Sequence, residues 1–66
     1  MQIIINGKSH EIATNYSVNS LLEQFLIDVK QVAIELNGEI LPRSSFARTQ
    51  LHDGDKIELV EFVGGG

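Results

Sequence analysis

The chain has 66 residues, enough for one small domain, which buries only roughly 60% of the surface its unfolded form exposes. Its apolar fraction of 42% must offset an ordering cost of roughly 1.5 kcal/mol per residue, and a catalytic pocket of ~300 Å³ would hollow out such a core, so a self-contained enzyme is disfavoured. The absence of cysteine excludes disulfides, thiolate metal centres and thiol catalysis together, while a net charge of −4 repels the phosphate backbone of nucleic acid and favours a partner with a basic or apolar face.

Gln2 to Asn6 reads as a strand carrying Ile3, Ile4 and Ile5 in succession. Asn6-Gly7 follows, and both residues tolerate positive φ, so a tight hairpin turn is predicted. Lys8 to Ala13 is the returning strand. Ser17 is a candidate helix N-cap, after which Val18, Leu21, Leu22, Phe25 and Leu26 recur at helical spacing. They predict an amphipathic helix of two to three turns with that stripe in the core. Gln31 to Leu36 is a third strand, with Val32, Ile34 and Leu36 on one side and Ala33 and Glu35 on the other. Asn37-Gly38 is a second tight turn, and Glu39 to Leu41 a very short return strand stopped by Pro42. Between Arg43 and Leu51, a single helical turn would seat Phe46, Ala47 and Leu51 on the core. His52-Asp53-Gly54-Asp55 is a turn, and Lys56 to Val63 the last strand.

One helix covers one face of one sheet. The most apolar strands are the first and the last, and apolar runs suit the centre, where parallel neighbours are buried. Setting those two side by side and parallel gives an α+β chain of the β-grasp type, the ubiquitin-like architecture: a mixed sheet of four to five strands gripping one main helix. Residues 1–63 form the domain and 64–66 a flexible glycine tail. No apolar stretch approaches the ~18 residues of a membrane span. Met1–Gly7 lacks the basic region of a signal peptide. The expectation is a cytoplasmic protein with neither membrane nor nucleic acid as partner.

Two features could carry chemistry. The first is Gly64-Gly65-Gly66. A run of glycines is ordinarily a frayed end, but these follow the last strand with no polar linker. Three extended residues reach about 10 Å, and glycine has no side chain to block a narrow channel. A carboxylate on Gly66, with Gly64 and Gly65 threading behind it, could enter a partner's active site. Adenylation would convert it to an anhydride with a good leaving group. A sulfur nucleophile could then displace AMP and leave a thiocarboxylate, with no side chain of this protein required. The second feature is the sheet face turned away from the helix. Ile3 and Ile5 should face the helix and Ile4 away, and Ile57 and Leu59 in, leaving Glu58, Val60 and Phe62 outside. Exposed apolar residues rimmed by charge mark a docking site. The competing expectation for Phe62 is that it folds over a core edge. His10 and His52 lack metal-ligand spacing, Asp53-Gly54-Asp55 lacks the other ligands of a calcium loop, and the serines show no nucleophile signature. No catalytic and no metal-binding residue is expected.

Met1-Gln2-Ile3, the segment Leu36-Asn37-Gly38 through Pro42-Arg43, Asp53-Gly54-Asp55 with Ile57-Glu58, and the ending Val63-Gly64-Gly65-Gly66 keep an order and spacing that resemble the thiamine-biosynthesis sulfur carrier family (ThiS-like) over the full length. The resemblance implies a β-grasp fold and a terminal glycine, here Gly66, that is adenylated and then thiocarboxylated. It implies an E1-like adenylyltransferase (ThiF-like) that uses ATP and magnesium, with no cofactor held tightly by the carrier. It also implies a cysteine desulfurase or related sulfur donor, and a thiazole synthase (ThiG-like) as acceptor. Alternatives are a carrier for molybdopterin synthesis, tRNA thiolation or cysteine synthesis, a ubiquitin-like modifier, and a non-covalent β-grasp binding module with an inert tail.

Overall fold

Two asparagine–glycine pairs organise the sheet. At Asn6-Gly7 the φ angles are 48° and 82°, and at Asn37-Gly38 they are 52° and 86°. Both central residues of a two-residue hairpin turn must adopt positive φ, which asparagine tolerates and glycine adopts freely. In the computed structural model, which describes residues 1–62, the first turn joins β1 (Gln2–Ile5) to β2 (Lys8–Glu11). The second joins β3 (Val32–Leu36) to β4 (Glu39–Leu41). The helix α1 spans Val18–Gln24 and the last strand, β5, Lys56–Glu61. Single 3-10 turns lie at Val29–Gln31 and Arg43–Ser45.

The five strands form one mixed sheet in the order β2-β1-β5-β3-β4. β5 is central, parallel to β1 and antiparallel to β3. This is the β-grasp arrangement expected from the apolar first and last strands. The anticipated boundary after residue 63 and the glycine tail at 64–66 lie outside the described residues.

Alternation places Ile3, Ile5, Val32, Ile34 and Ile57 on one face of the sheet. They are buried against Val18, Leu21 and Leu22 of α1, together with Ile12, Phe46 and Leu51. Ser17 caps α1 by accepting a hydrogen bond from the Ser20 N–H at 3.1 Å. A seven-residue helix is unstable alone, so this one exists because its apolar face is covered. The loop after Pro42 is fastened by Phe46, 2% exposed. The Arg43 guanidinium donates to the carbonyls of Val29 and Lys30 at 2.8 and 3.0 Å, tying that loop to the entry of β3.

Some expectations change. The helical stripe stops two residues early: Phe25 is 36% and Leu26 92% exposed. The Ile27 N–H donates to the Leu22 carbonyl and the Leu26 N–H to that of Glu23. That bond pair is a Schellman ending, with Leu26 at φ 57° where glycine is usual, so the chain turns off the core at the residues that would have extended the stripe. The strand after Gly7 ends at Glu11 rather than Ala13. Ala47 is exposed, and only Phe46 and Leu51 of that segment are buried. β5 ends at Glu61, and Val63 lies outside the described residues.

Candidate functional site

The face of the sheet opposite α1 has no covering layer among the described residues. Its residues are the alternates of the core: Ile4 on β1, Glu58 and Val60 on β5, Ala33 and Glu35 on β3, and Ile40 on β4. Strand register sets them side by side. Val60 is opposite Ala33, Glu58 opposite Glu35, and Glu35 in turn opposite Ile40. Ala33, Ile34, Glu35, Ile40, Glu58 and Val60 line a shallow groove of about 150 Å³. Ile40 is 81% and Val60 58% exposed, both lining this groove on a face with no covering layer among the described residues. Glu35 and Glu58 face each other across neighbouring strands, and like charges so placed are destabilising. The groove is therefore an apolar strip edged by a carboxylate pair, suited to an apolar side chain flanked by cations.

Of the residues expected on this face, Glu58 and Val60 meet in the groove. Ile4 is half-buried on the same face, but lines a separate hollow with Gln2, Ser9, Asp53 and Gly54, because Lys56 rather than Glu58 is its neighbour on β5. Phe62 lies one residue past β5 and is 49% exposed, so it does not close over a core edge. Its N–H donates to the Gln31 carbonyl at 2.8 Å, which continues the β3–β5 ladder. Gly64, Gly65 and Gly66 lie outside the described residues.

Sequence reasoning set Ala33 and Glu35 on the outer side of β3 but did not count them, or Ile40, in the docking face. The signal was present: once Ala33 and Glu35 are assigned outward, antiparallel pairing through the Asn37-Gly38 turn carries Ile40 to the same face. A three-residue strand between a turn and a proline is too short for alternation to show this unaided.

The remaining titratable residues form no constellation. No cluster of three or more His, Cys, Asp or Glu side chains able to hold a metal ion occurs among the described residues. His10 packs edge-on against Phe25 with ring centroids 5.6 Å apart. Asp55 is used by the turn, where its carboxylate accepts from the His52 N–H at 2.8 Å and the Asn37 carboxamide at 3.1 Å. Asp53 accepts from the Gln2 N–H at 2.7 Å. No described helix is long and apolar enough to cross a membrane.

The ThiS family model matches residues 3–66. The sulfur carrier protein ThiS of Escherichia coli is 37% identical over 68 residues, covering all of both chains. A thiazole synthase of Paramagnetospirillum magneticum is 42% identical over 66 residues, and the present chain spans 20% of its length. The crystal structure of the thiamine biosynthesis protein ThiS of Geobacter metallireducens superposes with a TM-score of 0.85 at 38% identity, with full coverage of both chains.

Proposed function

Because this chain belongs to the ThiS family, we propose that it is a sulfur carrier for thiamine biosynthesis, a co-substrate of partner enzymes rather than an enzyme. The observation that carries the reading is the family match through residue 66, over a sequence that passes from the central strand into Gly64-Gly65-Gly66. In this reading an E1-like adenylyltransferase uses ATP and magnesium. The Gly66 carboxylate attacks the α-phosphorus, pyrophosphate leaves, and an acyl adenylate forms. The terminal sulfur of a persulfide carried by a cysteine desulfurase or related donor then adds to the acyl carbon and expels AMP, and a thiol reductant cleaves the S–S bond of the resulting acyl disulfide, leaving a thiocarboxylate. The carrier's side chains take no part. Its contribution is a rigid body, a narrow glycine end that fits a closed site, and a docking face.

The acceptor in this proposal is a thiazole synthase. Support comes from the relative of that name, which carries a segment similar to this whole chain within one longer polypeptide. The open face of the sheet is the proposed docking surface, with Val60, Ile40, Glu58 and Glu35 at its centre and Ile4 and Phe62 at its margins. Gly64 and Gly65 are the segment that threads the partner's channel. Every element of the scheme is an intracellular step, so the protein acts in the cytoplasm.

The test is intact-protein mass spectrometry on the chain ending at Gly66, after incubation with ATP, magnesium, the adenylyltransferase, a sulfur donor and a thiol reductant. The expected result is the mass change of one oxygen replaced by sulfur, mapped to Gly66 and abolished by removing Gly65 and Gly66, with the fold intact. An unchanged mass in the presence of a demonstrably active adenylyltransferase overturns the reading.

A further inference from the structure

β1 is shorter than the strand it accompanies. Its register with β5 covers Ile4 with Lys56 and Ile5 with Ile57, and then the chain turns away at Asn6-Gly7. β5 continues to Glu61. The next β5 residue whose backbone points toward the β1 side is Leu59, and both of its peptide groups are met by one side chain. The Leu59 N–H donates to Asn6 Oδ1 at 2.7 Å, and Asn6 Nδ2 donates to the Leu59 carbonyl at 3.3 Å. Meanwhile the Asn6 N–H donates to the Ile57 carbonyl at 2.9 Å. A carboxamide carries one donor edge and one acceptor edge, as a peptide group does, so Asn6 stands in for the strand residue that β1 lacks.

The second turn offers a built-in comparison. Asn37 also has positive φ and also grips β5. Its Oδ1 accepts from the Lys56 N–H at 2.9 Å, and its own N–H donates to the Lys56 carbonyl at 2.7 Å. The two asparagines thus hold the same strand from opposite sides, Asn37 at its start and Asn6 near its end. Past Leu59, the hold seen on Phe62 comes from the β3 side, through Gln31. Resting on the carrier reading above, we propose that Asn6 is a positioning residue: its carboxamide clamp on Leu59 fixes the direction in which β5 presents Phe62 to a partner during loading.

Asn6→Gly and Asn37→Gly test this. Glycine keeps each turn, since both positions have positive φ, and removes the carboxamide, while the added backbone freedom is common to both variants. Loading of the full chain is measured as a function of carrier concentration. Misaiming a reacting group by about 1 Å can cost on the order of 100-fold, and a partly loosened strand should cost about tenfold in kcat/KM for Asn6→Gly, against less than about twofold for Asn37→Gly. A merely structural role predicts that the two variants lose thermal stability and loading rate alike, and that result overturns the proposal. Amide exchange at Leu59 and the orientation of the Phe62 N–H from residual dipolar couplings are read on the isolated carrier. Leu59 is expected to be protected in the unaltered protein and in Asn37→Gly, and to exchange rapidly in Asn6→Gly with a reoriented Phe62. An unprotected Leu59 in the unaltered protein, or an unmoved Phe62 in Asn6→Gly, removes the clamp. If the unaltered carrier itself is never loaded, the carrier reading fails, while these two measurements still decide whether Asn6 aims the strand.

Discussion

The two faces of the sheet are made by alternate residues of the same strands, and they are governed by opposite rules. On the helix side, Ile3, Ile5, Val32, Ile34 and Ile57 are all under a tenth exposed, and no charged residue is buried among the described residues. On the other side Ile40 and Val60 stand in solvent, and two glutamates face each other across β3 and β5. The first face is what stability alone would select. The second gives up apolar burial and places like charges together, each a small cost that the fold does not need to bear. A surface that is worse for the isolated domain than an ordinary polar one is informative, because the reason for it lies outside the domain. This contrast, more than any cavity, marks the open face as the docking surface in the proposed function.

Substitutions on the two faces should therefore separate stability from binding. The largest effect is expected at Phe46, which closes the core from the loop side. Phe46→Ala removes a fully buried ring and should cost about 3–5 kcal/mol, most of the stability of a domain this size. Chemical denaturation should show the midpoint moved close to zero denaturant, and a loss below ~1 kcal/mol would mean that the loop is not part of the core. The opposite behaviour is expected for Val60→Asp. It adds a third carboxylate to an exposed strip, and should leave the thermal midpoint nearly unchanged while weakening partner affinity at least about tenfold, or ~1.4 kcal/mol. Titration calorimetry with the adenylyltransferase or the thiazole synthase decides it, and unchanged affinity for both would remove the open face as a docking surface. The smallest effect belongs to neither face. Leu26 holds a left-handed conformation at the helix end while almost wholly exposed. Leu26→Gly relieves a conformational cost of about 1 kcal/mol and loses little burial, so a gain of about 0.5 kcal/mol or more is expected. A decrease in stability would show that the Leu26 side chain contributes packing that its exposure conceals.

Most of the fold was legible in the order of residues, and the reasons are local. Asn6-Gly7 and Asn37-Gly38 announce their turns because few other pairs accept two consecutive positive φ angles. Ser17 followed by Val18, Leu21 and Leu22 announces a capped helix, because a hydroxyl N-cap and a 3.6-residue period have few other uses. The errors also have a local cause. Phe25 and Leu26 satisfy the helical period, so periodicity alone extends the stripe through them. What ends it is the Schellman bond from Ile27 back to Leu22, made by a chain that must leave the helix to reach β3. For the candidate site, Glu58 and Val60 could be placed outward from alternation within one strand. Ile40 is not legible from its own three-residue strand, and its face follows only through pairing with β3 across the Asn37-Gly38 turn.

The sequence by itself determined the elements, the parallel pairing of the first and last strands, and the glycine end to which the proposed sulfur chemistry is assigned. Each of these follows from short-range conformational preference or from the placement of apolar runs. The tertiary structure alone decided which side chains become neighbours: Glu35 with Glu58, Ala33 with Val60, and the Asn6 carboxamide with Leu59, 53 residues away. Those contacts depend on register between strands distant in the chain, and register emerges only when the whole sheet closes on its helix.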